Sequence, residues 1–87
     1  MTPQTGDRVT FIQDVQSEYG LNRVRGLKSR VIKVSFDRRN VPFIIIRDPL
    51  RMDFQIHLPL ETAHEFVEIE YGGQKFYDRF DRKYEDE

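Results

Sequence analysis

The side chains that most often catalyse reactions or bind metals are few in this 87-residue chain and poorly spaced for either task. There is no cysteine, so neither a disulfide nor a thiolate metal site can form. The two histidines, His57 and His64, lack the i, i+4 spacing of a helical zinc pair. Glu61 and His64 would share a helical face, but a di-metal bundle needs two such helices. The sequence therefore predicts no metal site and no cofactor.

Motifs for nucleophilic catalysis and for phosphate transfer are also missing from the sequence. None of the serines, Ser17, Ser29 and Ser35, lies in the G-x-S-x-G elbow of a hydrolase. No glycine-rich loop has the spacing that surrounds a nucleotide phosphate. We therefore predict that the protein is not an enzyme, that it has no catalytic residue, and that it acts on no small-molecule substrate.

The basic residues are the side chains whose distribution points to a function. The net charge is only −1, but residues 21–52 contain nine basic residues against two acidic ones, and residues 53–87 contain ten acidic against four basic. This layout predicts a dipolar surface. On a small sheet, five of the basic residues would form a face that contacts nucleic-acid phosphates. These five are Lys33, Arg38, Arg39, Arg47 and Arg51.

The aromatic and acidic residues of the sequence affect how this basic face is interpreted. Bases would need exposed aromatic rings for stacking, and Tyr19 and Tyr77 are the rings that the sequence offers. The alternative is that the basic side chains only keep the sheet soluble, or pair with Asp53, Glu68 or Glu70 across the strands.

A second candidate site is the C-terminal segment, where four aromatic residues alternate with charged ones over nine positions. They are Phe76, Tyr77, Phe80 and Tyr84. This composition suits a protein–protein interface, so the alternative function is that of an adaptor or a small accessory subunit. In the other interpretation Phe76 and Phe80 cover the protein's own core, because so small a domain needs that apolar area.

Residues 30–58 are predicted to form three consecutive antiparallel strands, which must position the basic residues. In the first strand one set of alternate residues is expected to face the core. These are Ile32, Val34 and Phe36, which alternate with Val31, Lys33 and Ser35. The second strand, residues 43–46, is apolar at every position and is therefore predicted to be central and covered on both faces.

Polar connections separate these three strands. Residues 37–40 are all polar, and their aspartate and asparagine suit local turn hydrogen bonds. Residues 47–50 are predicted to form a tight turn, because Pro49 restricts φ. The third strand is predicted over residues 52–58, where apolar and polar side chains alternate.

The segment before the central strands fits two structures. We favour a strand over residues 8–12, followed by a loop or a short helical turn over residues 14–20. The alternative is a helix with Asp7 as its N-cap and Gly20 as its stop. Val24 is a possible start for the next strand, with Gly26 as a bulge.

After the central strands, Pro59 is placed to begin a short helical turn, and residues 66–71 are predicted to form the last strand. Gly72-Gly73 then predicts a hairpin, whereas the i, i+4, i+8 spacing of Phe76, Phe80 and Tyr84 fits a helix instead. The highly charged end is expected to be frayed or disordered.

The order of these elements resembles the SH3-like small barrels, including the KOW-type modules of ribosomal and transcription-elongation proteins. Residues 6–11, GDRVTF, resemble the G-D-x-V-x-V entry of such barrels, and Gly26 matches a second KOW glycine, although Ser29-Arg30 departs from the pattern. The resemblance covers residues 6–71 and implies a mostly β, five-stranded barrel. A helical start would instead resemble an Sm-like barrel, and an OB-fold is a third possibility.

We therefore expect a single domain over residues 1–87, with a barrel over 6–71 and an extension over 72–87. No apolar run reaches the length of a membrane span and no signal-peptide pattern is present, so a cytoplasmic protein without membrane contact is expected. The expected function is that of a binding or regulatory module for nucleic acid, or for a protein in the alternative reading.

Overall fold

The computed structural model describes residues 2–17, 20–51 and 53–71, and these form a mostly β fold with one 3₁₀ turn. The mostly β class predicted from the sequence is confirmed. The strands are β1 (Arg8–Phe11), β2 (Val15–Ser17), β3 (Gly20–Asn22), β4 (Lys28–Phe36), β5 (Pro42–Arg47), β6 (Gln55–Pro59) and β7 (Val67–Glu70). The 3₁₀ turn, Ala63–Glu65, lies between β6 and β7, where the sequence predicts a short helical turn.

Five strands form one antiparallel sheet in the order β6-β5-β4-β1-β7, and β2 and β3 form a separate two-stranded hairpin. The expected barrel is not closed within the described residues, because β6 and β7 are the two edges of the sheet and do not pair with each other. Residues 60–66 separate these edges: they form turns and the 3₁₀ helix, whose Ala63 is buried in the core.

Strand β4 is shared by both halves of the sheet, and its register changes within it. Its first residues pair with β1, where Arg30 lies opposite Arg8, and the rest of it pairs with β5. The register with β5 shifts between Val31 and Lys33, which leaves Ile32 as an extra residue, as in a β-bulge. Strict alternation along β4 therefore breaks at this point.

The core lies on one face of the five-stranded sheet and is closed by the connecting segments. All five strands of the sheet contribute to it, together with Val15 of β2, Val24 of the β3–β4 loop and Ala63. Because β1 and β7 share this core with β5 and β6, the sheet curves around a single apolar cluster. Its members are Val9, Phe11, Val15, Val24, Val31, Ile44, Ile46, Ile56, Leu58, Ala63 and Val67.

Strand β5 is an interior strand covered on both faces, as predicted, whereas one prediction about its neighbour β4 is wrong. Ile45 is only 5% exposed although it lies on the face away from the core, between Lys33 and His57. Phe36 was expected to face the core but is 59% exposed, because it pairs with Pro42 beyond the end of the apolar cluster.

The third central strand begins at Gln55 instead of residue 52, because a loop occupies residues 48–54. The Phe54 N–H donates to the carbonyl of Arg51, and Asp48 N–H donates to the carbonyl of Phe54. These bonds form a turn where the alternation of apolar and polar residues predicted strand pairing.

None of the helical segments in the described part of the chain has the length and the apolar character that a membrane span requires.

The segment before β4 also differs from prediction. Residues 15–17 and 20–22 pair as a hairpin, where a loop or a short helical turn was expected. Val24 and Gly26 precede β4 and do not belong to it; Gly26 has φ = 86° in a turn. The predicted hairpin or helix after Gly72, and the aromatic residues Phe76, Tyr77, Phe80 and Tyr84, lie outside the described residues.

Candidate nucleic-acid interface

The outer face of the sheet, which we define as the face opposite the core, carries two of the five basic residues proposed from the sequence. Cross-strand partners share a face, so Lys33 of β4 lies in one row with Ile45 of β5 and His57 of β6. Arg47 is two residues further along β5 and therefore lies on the same face. Lys33 and Arg47 are both exposed.

Arg38 and Arg39 lie in the hairpin tip, residues 37–41, which connects β4 to β5. Both are exposed. The tip is held by Asp37, whose Oδ1 accepts hydrogen bonds from the N–H groups of Arg39 (2.8 Å) and Val41 (2.9 Å). Asn40 adopts φ = 64°, the left-handed conformation that asparagine tolerates better than most residues. The sequence therefore forms a tight polar turn that presents both guanidinium groups to solvent.

Arg51 lies in the loop 48–54, which connects β5 to β6. Asp48 organises this loop: its side chain is buried at 3% exposure, and Oδ1 accepts from the N–H groups of Leu50 (2.8 Å) and Arg51 (3.3 Å). The guanidinium carbon of Arg51 lies 5.3 Å from the centre of the Phe54 ring, within the range of a cation–π contact. Phe54 remains 41% exposed.

The structure divides the five residues into two groups. The hairpin tip and the loop 48–54 lie at opposite ends of β5, which its six residues set roughly 17 Å apart. Lys33 lies on the outer face between these ends, opposite Ile45, and Arg47 is the last residue of β5 before the loop. The basic residues therefore line one arm of the sheet, from tip to loop, and do not converge on one point.

Among the described residues, four of the five basic residues of this arm have no carboxylate partner. Within the described residues, none of Lys33, Arg38, Arg39 and Arg51 forms an ion pair. The two acidic residues of the basic stretch, Asp37 and Asp48, accept hydrogen bonds from loop backbone instead. The described carboxylates of β7 lie at the far edge of the sheet, where Glu70 Oε1 is 3.8 Å from Arg8 Nε and Glu68 is opposite Thr10.

Further cations, which the sequence did not assign to the site, lie on the outer face beside this arm. Lys28 and Arg30 precede Lys33 along β4, and their outward orientation follows from pairing with Thr10 and Arg8. Arg30 Nη1 donates to the carbonyl of Gly6 at 2.9 Å. A groove of about 580 Å³ runs over these residues, bounded by Glu68 and Glu70. Lys28 and Arg30 are assigned to this face by the pairing register of β4, and the composition of the sequence does not reveal that register.

Aromatic rings other than the predicted ones accompany the cations: Phe54 and His57 are exposed, and Phe43 is half-buried. Tyr19 and Tyr77 lie outside the described residues. On the outer face, the ring centroids of Phe43 and His57 are 5.2 Å apart, with a 33° tilt between the rings. His57 Nε2 also lies 3.2 Å from Gln55 Oε1, a contact that orients the imidazole.

Both histidines are exposed, and the described part of the chain holds no group of three or more His, Cys, Asp or Glu residues able to bind a metal ion. Comparison of the chain with protein-family models, with curated proteins and with solved structures finds no match. The functional argument therefore rests on the geometry of the sheet and the distribution of its charges.

Proposed function

We propose that this protein is a small, non-enzymatic binding module with an SH3-like fold, which binds nucleic acid through the basic arm formed by β4, β5 and the connections at their ends. The fold assignment is supported by three consecutive hairpin-linked strands, by a 3₁₀ turn before the last strand, and by pairing of the first strand with the last. This is the element order that the resemblance to SH3-like barrels implies.

The observation that carries the binding proposal is the use of Asp37 and Asp48 as backbone acceptors. Each aspartate lies beside arginines in the sequence, yet its carboxylate is turned into its own loop. The neighbouring guanidinium groups of Arg38, Arg39 and Arg51 are thereby left to solvent. Exposed cations at both ends of a strand pair, with Lys33 between them, attract a polyanion and release its condensed counterions on binding.

The distribution of acidic residues supports a polyanion over a neutral or basic partner. Glu68 and Glu70 lie on the edge strand β7, two strands away from β4, so the carboxylates of the sheet lie along one edge, where Glu70 is close to Arg8, and most of its cations lie across its middle. Such a dipole orients an approaching polyanion toward β4 and β5, with an effect that extends over about one Debye length, ~8 Å at physiological salt.

Binding to fluorescein-labelled RNA and DNA oligonucleotides, followed by anisotropy over a range of salt concentrations, tests this proposal. We compare Arg38→Gln/Arg39→Gln with Arg23→Gln/Arg25→Gln. Both pairs consist of exposed arginines in connections and lose the same charge. The hairpin-tip pair is expected to lower the slope of log K against log salt by roughly 1.4 to 1.8, because each phosphate contact contributes about 0.7 to 0.9.

The control pair in the β3–β4 connection is expected to leave the slope within about 0.5 of the wild-type value, since it removes no contact on the arm. Equal reductions for both pairs would mean that binding depends on net charge and not on this arm. No binding of the wild-type protein at 20 to 50 mM salt, roughly the low end at which such contacts are strongest, would overturn the proposed function.

A protein adaptor is the second candidate function, and exposed apolar side chains favour it. Leu21 of β3 and Leu50 and Phe54 of the loop 48–54 are exposed, and a groove of about 470 Å³ lies between hairpin and loop. Exposed leucine and aromatic side chains beside an arginine are typical of protein interfaces. Loss of a defined protein partner on Phe76→Ala/Phe80→Ala, with no nucleic-acid binding, would favour this function.

A further inference from the structure

The cations of β4 form a row on the outer face, and the irregularity at Ile32 is the reason that Lys33 belongs to it. Lys28 and Arg30 are alternate residues and point to the same side, roughly 6.7 Å apart. Without the extra residue, Lys33 would continue the alternation of Val31 and point into the core. The shifted register turns it outward, opposite Ile45.

Beside this row, on the β5 and β6 side, lies the pair of rings formed by Phe43 and His57. Phe43 is opposite Ser35 of β4, so the rings begin one strand away from the row, a distance of about 4.8 Å. His57 is exposed, and the neighbouring Phe43 is half-buried. The ring pair therefore lies beside the Lys33 end of the row, whereas Arg47 of β5, whose carbonyl accepts a hydrogen bond from Ser29 Oγ, lies beside the other end.

On the other side of the row, Arg8 and Thr10 of β1 come first, and the carboxylates of the edge strand β7 follow. Glu68 and Glu70 share rows with Lys28 and Arg30 across β1, and they bound the groove of about 580 Å³. A phosphate chain along β4 is attracted by the row and repelled from the β7 edge. Bases that extend away from this edge near Lys33 then lie over Phe43 and His57.

From this arrangement we infer that the preferred ligand is a single-stranded nucleic acid, with its phosphates along Lys28, Arg30 and Lys33 and its bases stacked over Phe43 and His57. The inference rests on the proposed function and specifies its ligand. Only unpaired bases expose their faces to aromatic side chains, and a base pair in a duplex has both faces covered by its neighbours. This arrangement therefore favours single-stranded over double-stranded nucleic acid.

The test uses a fluorescein-labelled 12-nucleotide oligonucleotide of mixed sequence, as RNA and as DNA, and the blunt duplex of each. The wild-type protein is expected to bind the single strand about 10-fold more tightly than the duplex at equal salt. In Phe43→Leu/His57→Ala this preference is expected to disappear, because single-strand affinity falls roughly 10-fold while duplex affinity stays within about 2-fold.

Two further variants separate stacking from phosphate contact. Tyr71→Leu removes an exposed aromatic ring next to β7 and is expected to leave the single-strand preference unchanged. Lys28→Gln/Lys33→Gln is expected to lower the salt slope for the single strand by about 1.4, whereas the ring variant keeps the wild-type slope. His57→Ala alone changes only an exposed side chain, and it provides the same test if the double variant does not fold.

The possible results separate the two levels of the proposal. Salt-dependent binding with equal affinity for single strand and duplex, or a preference that survives the ring variants, would overturn the single-strand inference and leave the proposed function standing. Absence of binding to every oligonucleotide at low salt would overturn the proposed function itself, and the inference with it.

Discussion

The hairpin tip and the loop 48–54 are built on the same principle and differ in how they are attached to the rest of the protein. In each, one aspartate accepts two backbone N–H groups and arginine is presented to solvent. Asp37 is exposed and bonds only within the tip, whereas Asp48 is buried and also lies 3.4 Å from the side-chain nitrogen of Asn22 in β3.

The difference shows that one loop is independent of its surroundings and the other connects two sheets. The Asn22–Asp48 contact joins the β2–β3 hairpin to the end of β5, so changes in the loop 48–54 reach the packing of the hairpin. The tip has no comparable connection among the described residues. Its arginines can therefore change with little effect on folding, as expected of residues that serve binding.

Replacement of Asp48 is expected to have the largest effect on stability. Asp48→Ala removes a buried acceptor and leaves the N–H groups of Leu50 and Arg51 without their partner, so we expect a loss of about 2 to 3 kcal/mol in the free energy of unfolding. Urea unfolding measures this loss. Asp48→Asn keeps one acceptor oxygen and should lose clearly less; an equal loss would show that charge, not the hydrogen bonds, stabilises the loop.

Replacement of Asp37 removes the same kind of acceptor from an exposed site. Water can satisfy the N–H groups of Arg39 and Val41 in the variant, so Asp37→Ala is expected to lower the free energy of unfolding by only about 0.5 to 1 kcal/mol. The measurement is again urea unfolding, at unchanged m-value. A loss as large as that of Asp48→Ala would contradict the independence of the tip.

Asn40 provides the smallest expected change. Its φ of 64° is accessible to glycine without strain, so Asn40→Gly should alter the free energy of unfolding by less than about 0.5 kcal/mol. Asn40→Ala is the matched comparison and should lower the free energy of unfolding by about 1 kcal/mol, because alanine is strained in the left-handed conformation. Thermal or urea unfolding of the two variants distinguishes them, and equal stability would mean that the tip relaxes to another turn.

The sequence predicted the elements whose side chains alternate or are uniformly apolar. Residues 8–12, the apolar run at 43–46 and the last strand were recognised because burial determines their pattern. The β2–β3 hairpin was missed because strands of three residues are too short to show a period. The start of β6 was placed too early, since the alternation continues into a loop held by Asp48.

For the candidate site, the sequence identified the cations but not their arrangement. The local role of Asp37 was predictable from turn chemistry, and the charge asymmetry is visible in the composition of residues 21–52. The outward position of Lys33 was also expected. The change of register that causes it was not expected, because Val31, Ile32 and Val34 are all apolar and their pattern does not show where the register shifts. The ring pair of Phe43 and His57 depends on the β5–β6 register, which a single sequence leaves undetermined.

The sharing of β4 between the two halves of the sheet has a consequence for how the protein opens. Val31 lies opposite Ile46 of β5. On its other side, its N–H donates to the carbonyl of Asp7, and its carbonyl accepts from the N–H of Gly6. Neither half can detach without exposing backbone groups of the strand that holds the other. Amide exchange of β1 and β5 should therefore report one cooperative opening, with a single free energy, instead of two separate local ones.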